Sequence, residues 1–299
     1  LHSRAPLIAV FTKNRTNPAY AAARLGADRV AARMGACTAH FVPDKPDDVP
    51  EQKALVERAI AGQPDAVVFV PVHATAMGES VRKLNVAGIP VVNYLNRLVE
   101  GQFVAYIGSD DYRLARDIAD YLFRHLGGKG DIAILEGVPG AVTSRERLRG
   151  FRDAARDSPG IRIIAARAAD YQQETARRVT AELLAGLPRF DGMLCANDVM
   201  ALGAIEALEA AGRRIPLVGV NAIPEAIAAI KRGQLLATVS FDAMHISSIA
   251  TEAAIRHLRG ERVPREILLP VQIVDGSNYT AWDLPLEERR SPAWEDTVL

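Results

Sequence analysis

The sequence predicts an α/β protein built from two similar doubly wound parallel-sheet domains, and three observations carry that expectation. Apolar strand-like runs alternate with helical patterns along the whole chain, the form taken by a parallel sheet covered on both faces. The length of 299 residues is about twice that of a common domain. Strand-helix units also restart after Ile107-Gly108-Ser109-Asp110-Asp111, so the second half repeats the plan of the first and this run is expected to act as a hinge.

The first unit sets the pattern. Leu7 to Phe11 is a continuous buried-strand run, and after a polar loop Tyr20, Ala23, Ala27, Val30 and Met34 recur at helical spacing until Gly35 closes the helix. Further strands are expected at Thr38 to Val42, Ala66 to Val70, Pro90 to Val92 and Val104 to Ile107, then at Ile132 to Leu135, Ile161 to Ala165, Gly192 to Cys195 and Leu217 to Val220. Helical faces lie between them: Met77, Val81, Leu84; Leu114, Ile118, Tyr121, Leu122; Leu148, Phe151, Ala155; and Ala201, Ile205, Leu208. The last seventy or so residues show a helix pattern at Ile246, Ile249, Ala253 and His257, one strand run from Ile267 to Val274, and a tail rich in proline and charge after Trp282.

Composition narrows the function classes. Thirty-six basic and thirty-six acidic residues cancel, and no block of like charge suggests a grip on nucleic acid or an anionic membrane. The 49% hydrophobic fraction comes in runs far below the roughly twenty residues of a bilayer span. Cys37 and Cys195 have neither CxxC spacing nor metal-ligand neighbours, so they are expected to be small buried residues. The first residues, Leu-His-Ser-Arg-Ala-Pro, lead straight into the first strand, which fits a cytoplasmic protein or a mature form whose signal peptide has been removed.

In open parallel sheets the ligand crevice lies beyond the carboxyl ends of the strands. In this chain those positions are polar: Lys13, Asn14, Arg15, Thr16 and Asn17 after the first strand, His73 after the third, and Asn93, Asn96 and Arg97 after the fourth. The second half supplies Glu136, Arg145, Glu146, Arg147, Asp170 with Tyr171, Asn197 with Asp198, and Asn221. Amides and guanidinium groups beside Tyr20, Tyr171 and Phe241 offer many hydrogen bonds next to flat apolar faces, which suits a polyhydroxylated ligand. Singly, each has a plainer explanation. Asn17 before Pro18 and Asn197 before a helix also fit N-caps, Arg97 fits a solvated loop charge, Tyr20 fits the core, and His73 has no metal-ligand companions. Convergence of such loops from both halves is what favours a binding site.

Enzyme motifs are weak. Gly127-Gly128-Lys129-Gly130-Asp131 follows a helix and precedes a strand, the reverse of a phosphate-cradling loop. No GxSxG, HExxH or strand-to-helix GxGxxG occurs. No catalytic residue, metal or cofactor is expected.

A family resemblance covers nearly the whole chain. It is carried by Asn17-Pro18-Ala19-Tyr20, Gly88-Ile89-Pro90-Val91-Val92, Tyr106-Ile107-Gly108-Ser109-Asp110, Arg145-Glu146-Arg147 with Gly150-Phe151, the run from Ala196 to Ala204, and most of all Ala226 to Val239. In these the chain resembles the type I periplasmic sugar-binding proteins of ABC transporters, of the ribose- and galactose-binding kind. The resemblance implies ligand contacts at Asn17, Tyr20, Arg97, Arg147, Tyr171, Asn197 and Asn221, joined by Asn96 and Phe241, with Lys13, Asn93 and His73 as weaker candidates. Similar proteins carry an aspartate at Asn221 and often one near Asn96, a second aromatic at Ala19, and an amide at Phe241. The stretch from Asn93 to Arg97 is one residue longer than usual, so either asparagine is available to the ligand.

The same resemblance implies one lobe of residues 1–108 plus 242–274 and another of 109–241 plus 275–299, with three chain crossings and closure of the lobes on the ligand. It implies a periplasmic monomer, not an enzyme, that captures a small carbohydrate or polyol and delivers it to an ABC transporter permease. A sensor domain of a lactose-repressor-type regulator, or a binding protein for a sugar acid, is the alternative. The charge of Arg97 and Arg147 is expected to be neutralised by Glu136, Glu146, Asp170, Asp198 or Asp242, which favours a neutral ligand.

Overall fold

The structure is a computed structural model that describes residues 4–187 and 189–298, so Leu1, His2, Ser3, Pro188 and Leu299 lie outside the described residues. The chain forms two compact units. The first comprises residues up to Ser109, Asp242–Pro270 and Arg290 onwards; the second comprises Asp110–Phe241 and Val271–Arg289.

In the first unit β1 (Leu7–Phe11), α1 (Pro18–Met34), β2 (Cys37–Phe41), α2 (Val49–Ala61), β3 (Ala66–Phe69), α3 (Gly78–Val86), β4 (Val91–Tyr94) and β5 (Ala105–Gly108) follow one another. The second continues with α4 (Asp111–His125), β6 (Lys129–Glu136), α5 (Val142–Arg156), β7 (Gly160–Ala168), α6 (Gln173–Gly186), β8 (Gly192–Cys195), α7 (Asp198–Ala210), β9 (Leu217–Val220), α8 (Pro224–Lys231) and β10 (Ala237–Val239). The chain then returns to the first unit with α9 (Ala243–Leu258) and β11 (Glu266–Leu268), reaches the second with β12 (Ile273–Asp275), and ends in the short α10 (Trp294–Thr297).

The two sheets repeat one plan. Their orders are β11-β5-β4-β3-β1-β2 and β12-β10-β9-β8-β6-β7, which coincide strand for strand once β6 is matched to β1. The one departure is that β12 runs antiparallel to β10, whereas β11 is parallel to β5. Central strands such as β1, β3 and β8 are buried on both faces, which explains why they read as unbroken apolar runs. The helix stripe Leu114, Ile118, Leu122 is completely buried. Gly35 ends α1 in the left-handed conformation (φ 75°), its N–H bonded to the carbonyls of Ala31 and Ala32.

Cys195 is buried as expected but Cys37, at the start of the edge strand β2, is exposed, and three further expectations are corrected. The run from Ile267 to Val274 is two strands in different sheets. Pro270, with no N–H to give a ladder, separates them; the Leu269 N–H closes the first sheet on the Gly108 carbonyl, and the Ser240 N–H opens the second on the Gln272 carbonyl. The third crossing therefore falls at Pro270 and not after Val274. A fourth crossing follows Arg289, because the tail docks back on the first unit. There Trp294 is buried with Arg256 4.8 Å from its ring centroid, Glu295 pairs with Arg256 at 2.7 Å, and Ser291 meets Ser248 at 3.1 Å.

Helix pairs close tightly through glycines. A Cβ on Gly26 of α1 would stand 2.5 Å from the Met244 carbonyl of α9, and one on Gly203 of α7 would stand 2.1 Å from the Gln173 carbonyl of α6. Alanine at 203 is the better helix former by about 1 kcal/mol, but the clash is with backbone and cannot be relieved by a rotamer. Gly203→Ala is therefore expected to lower stability by about 1–3 kcal/mol in urea unfolding; an unchanged or higher midpoint contradicts that packing.

Asp198, the first residue of α7, ties the second unit together. It accepts from Thr238 Oγ1 of β10 at 2.7 Å and from the Ile223 N–H before α8 at 3.1 Å. Desolvation pushes its pKa from 3.8 up to about 6, against the pull of these hydrogen bonds. Because the folded value is the higher one, Asp198 favours the folded state most below pH about 3.8, and that contribution is lost as pH rises through about 6. Carboxyl carbon NMR should find Asp198 titrating near 6; a midpoint below 4 contradicts this.

Candidate functional site

In the first unit the loop after β1 is fastened by its own ion pair and hydrogen bonds. Lys13 is 2% exposed and its ammonium lies 3.0 Å from the Asp47 carboxylate, to which the Asn14 amide also donates at 3.1 Å. Asn14 in turn accepts from the Asn17 N–H at 3.0 Å. Asn17 caps α1 by accepting from the Ala19 N–H at 3.0 Å, with Pro18 in the first turn. The cap uses its oxygen; its amide nitrogen makes no hydrogen bond among the described residues. Tyr20 is buried one turn into the helix.

The loop after β4 separates the two asparagines. Asn93 is fully buried and donates both amide hydrogens, to the Phe69 carbonyl at 3.0 Å and the Asn96 carbonyl at 2.9 Å, while its oxygen accepts from the Leu98 N–H at 3.0 Å. It latches the loop and has little left for a ligand. Leu95, in the left-handed region (φ 58°), reverses the chain inside that latch. Arg97 stacks 3.8 Å over the Tyr106 ring, pairs with Glu266, and keeps 44% of its side chain exposed. His73 receives the Thr75 and Ala76 N–H groups on Nδ1 at 3.3 and 3.2 Å, so it closes its own turn. No group of three or more potential metal ligands occurs among the described residues.

The second unit holds the more closely built face. Arg147 of α5 is 3% exposed. Its Nε donates to Asp111 Oδ1 at 2.8 Å and its Nη1 to the Ala196 carbonyl at 2.7 Å, and its guanidinium lies 4.9 Å from the Phe241 ring centroid. Phe241 is thus a shelf under Arg147. Burial pushes the Asp111 carboxyl above the usual range, and Arg147 pulls it back. The expected neutralisers are corrected on this point. Asp111 holds Arg147, Asp242 caps α9 on the His245 N–H at 3.0 Å, Glu146 pairs with Arg149, and Asp198 senses Arg147 only at longer range.

Around this pair, Asn197 caps α7 on the Met200 N–H at 2.9 Å and leaves its amide nitrogen without a hydrogen bond among the described residues. Asn221 sits at φ 125° and its side chain makes no hydrogen bond among the described residues. Tyr171 lies flat on Gly137, where a Cβ would stand 2.1 Å from its Cζ, and its hydroxyl is 3.3 Å from Thr143 Oγ1. Its backbone and that of Asp170 are both left-handed.

Seven described non-glycine residues have positive φ: Asp47, Gln63, Leu95, Asp170, Tyr171, Asn221 and Ala222. All but Gln63 lie in loops that leave the carboxyl ends of strands. Strain of this kind persists where the surroundings fix a functional geometry, so its distribution marks the same faces as the polar side chains. Asp111, Asp47 and Gly137 were not foreseen, since a paired carboxylate at a helix start reads as a cap and a glycine after a strand reads as a turn.

Comparison with known proteins places this arrangement. The profile described as a periplasmic binding protein domain matches residues 8–262. The ribose import binding protein of Bacillus subtilis (strain 168) is 31% identical over 266 residues, 89% of this chain and 85% of that protein. The structure of an ABC transporter periplasmic solute binding protein from Actinobacillus succinogenes 130z with bound D-allose matches with a TM-score of 0.87 and 30% identity, over 92% of this chain and 99% of that one. An ABC transporter solute binding protein from Bacillus halodurans C-125 with bound myo-inositol matches at 0.87 and 26%, over 94% and 98%. With two like-ordered parallel-sheet units and polar, strained loops at the carboxyl ends of their strands, this chain belongs to the periplasmic binding protein family.

Proposed function

We propose that this protein is an extracytoplasmic receptor for a neutral carbohydrate or polyol, which it passes to an ABC transporter permease without catalysis of its own. The observation that carries the neutral ligand is charge pairing. Among the candidate contacts the cations are Lys13, Arg97 and Arg147, and each has a carboxylate of its own unit: Asp47, Glu266 and Asp111. A ligand carboxylate or phosphate entering such a site would be desolvated without gaining a free cation, which is unfavourable. Hydroxyl groups need only donors and acceptors. In the second unit the amides of Asn197 and Asn221 offer those, with the Tyr171 ring as an apolar face, and in the first the Asn17 amide does.

The transport reading is supported by the relatives' kind, D-allose and myo-inositol being the sort of small polyol the site suits. A repressor-type sensor has no comparable support. No described helix is long and apolar enough to cross a membrane.

Thermal-shift screening of neutral sugars, polyols and sugar acids tests this reading. A cognate neutral ligand at a hundred times its dissociation constant should stabilise the protein by about 2.7 kcal/mol, a rise of roughly 5 to 10 °C for a chain of this size. That rise should persist in high salt, because no unpaired charge is being met. Salt-sensitive binding confined to sugar acids would contradict the neutral reading, and sugar turnover tracking the purified protein would contradict the receptor reading.

A further inference from the structure

We infer that Asp111 is the specificity-determining residue for ligand charge, the counter-ion that keeps Arg147 from recruiting an anion. The inference rests on Arg147 belonging to the ligand site and adds a residue that the ligand need not touch. Asp110 and Asp111 stand together at the start of α4 but divide the work. Asp110 caps the helix through the Arg113 N–H at 2.9 Å, while Asp111 turns inward to Arg147 at 2.8 Å. Both members of the pair are buried, with side chains 4% and 9% exposed.

Two other carboxylates of the second unit, Asp198 and Glu146, have partners of their own. Asp198 is engaged by Thr238 and the Ile223 N–H, and Glu146, more exposed, pairs with Arg149 at 2.5 Å. A buried guanidinium deprived of its contact carboxylate is strongly unfavourable, and an incoming carboxylate or phosphate is the group best shaped to replace it. Asp111 therefore selects by occupying the place an anionic ligand would take. Because Ala196 and Phe241 also hold Arg147, loss of the charge at 111 leaves the guanidinium in place and changes what it accepts.

The test is Asp111→Asn, which keeps an acceptor oxygen for Nε and removes the charge. Affinities of the wild-type protein and the variant for D-allose, myo-inositol, D-glucuronate and inorganic phosphate are measured by calorimetry at low and high salt. The expected result is a gain on the order of tenfold or more in glucuronate or phosphate affinity, smaller in high salt, with any neutral-ligand affinity reduced. Asp111→Glu should retain the wild-type preference, and Asp111→Ser repeats the test if the amide variant does not fold. An anion affinity that is unchanged in the charge-removed variant, even with a lower melting temperature, makes Asp111 a structural residue only and overturns the inference. The phosphate arm is independent of which sugar is cognate. Wild-type failure on both neutral ligands with a phosphate gain in the variant would count against the choice of ligand and uphold the role of Asp111.

Discussion

The buried pair of Arg147 and Asp111 is the constraint on which the second unit's candidate binding face depends. A guanidinium at 3% exposure is tolerable only with a carboxylate and further acceptors around it. The fold supplies these through helix packing. A Cβ on Gly150 of α5 would meet the Tyr112 carbonyl of α4 at 2.5 Å, so the two helices approach at that glycine closely enough for the start of one to reach the first turns of the other. The Ala196 carbonyl, at the end of β8, and the Phe241 ring, just past β10, complete the setting. Two strand-end loops are thereby held to one side chain, and Asn197 and Asn221 follow β8 and β9 of the same sheet.

The first unit solves the same problem with different groups. Lys13 and Asp47 form its buried ion pair, Asn93 latches the loop after β4, and Tyr106 both donates to the Leu95 carbonyl at 2.8 Å and carries Arg97 on its ring. In both units the central strands are apolar, while the described left-handed non-glycine residues other than Gln63 gather in loops at the carboxyl ends. Rigid sheets thus bear the cost of strained loops.

Much of this was legible in the sequence because its signals are periodic. Continuous apolar runs bounded by turns located nine of the twelve strands among the described residues, and the restart after Ile107 falls at the first passage between the two units. What escaped is local and context-bound. The three-residue β10 is too short to show a period, Pro270 was absorbed into a strand it divides, and the tail after Trp282 carries no pattern that says which unit its Trp294 will enter. Candidate site residues follow the same rule. Their positions after strands could be read directly, but their roles could not: Asn93 and Asn96 look alike until one is seen to spend its amide on three backbone groups, and Asp111 looks like a cap until Arg147 is placed beside it.

The central claim is that a small neutral polyol binds on the face organised by Arg147. Calorimetric titration of the best ligand from screening into wild-type protein and into Arg147→Gln tests it most directly, with circular dichroism to confirm that the variant is folded. The account predicts at least a roughly hundredfold loss of affinity in the folded variant, in line with removal of a charged, multi-donor hydrogen-bonding group from a buried site. Wild-type affinity in Arg147→Gln would place the ligand elsewhere and contradict the account.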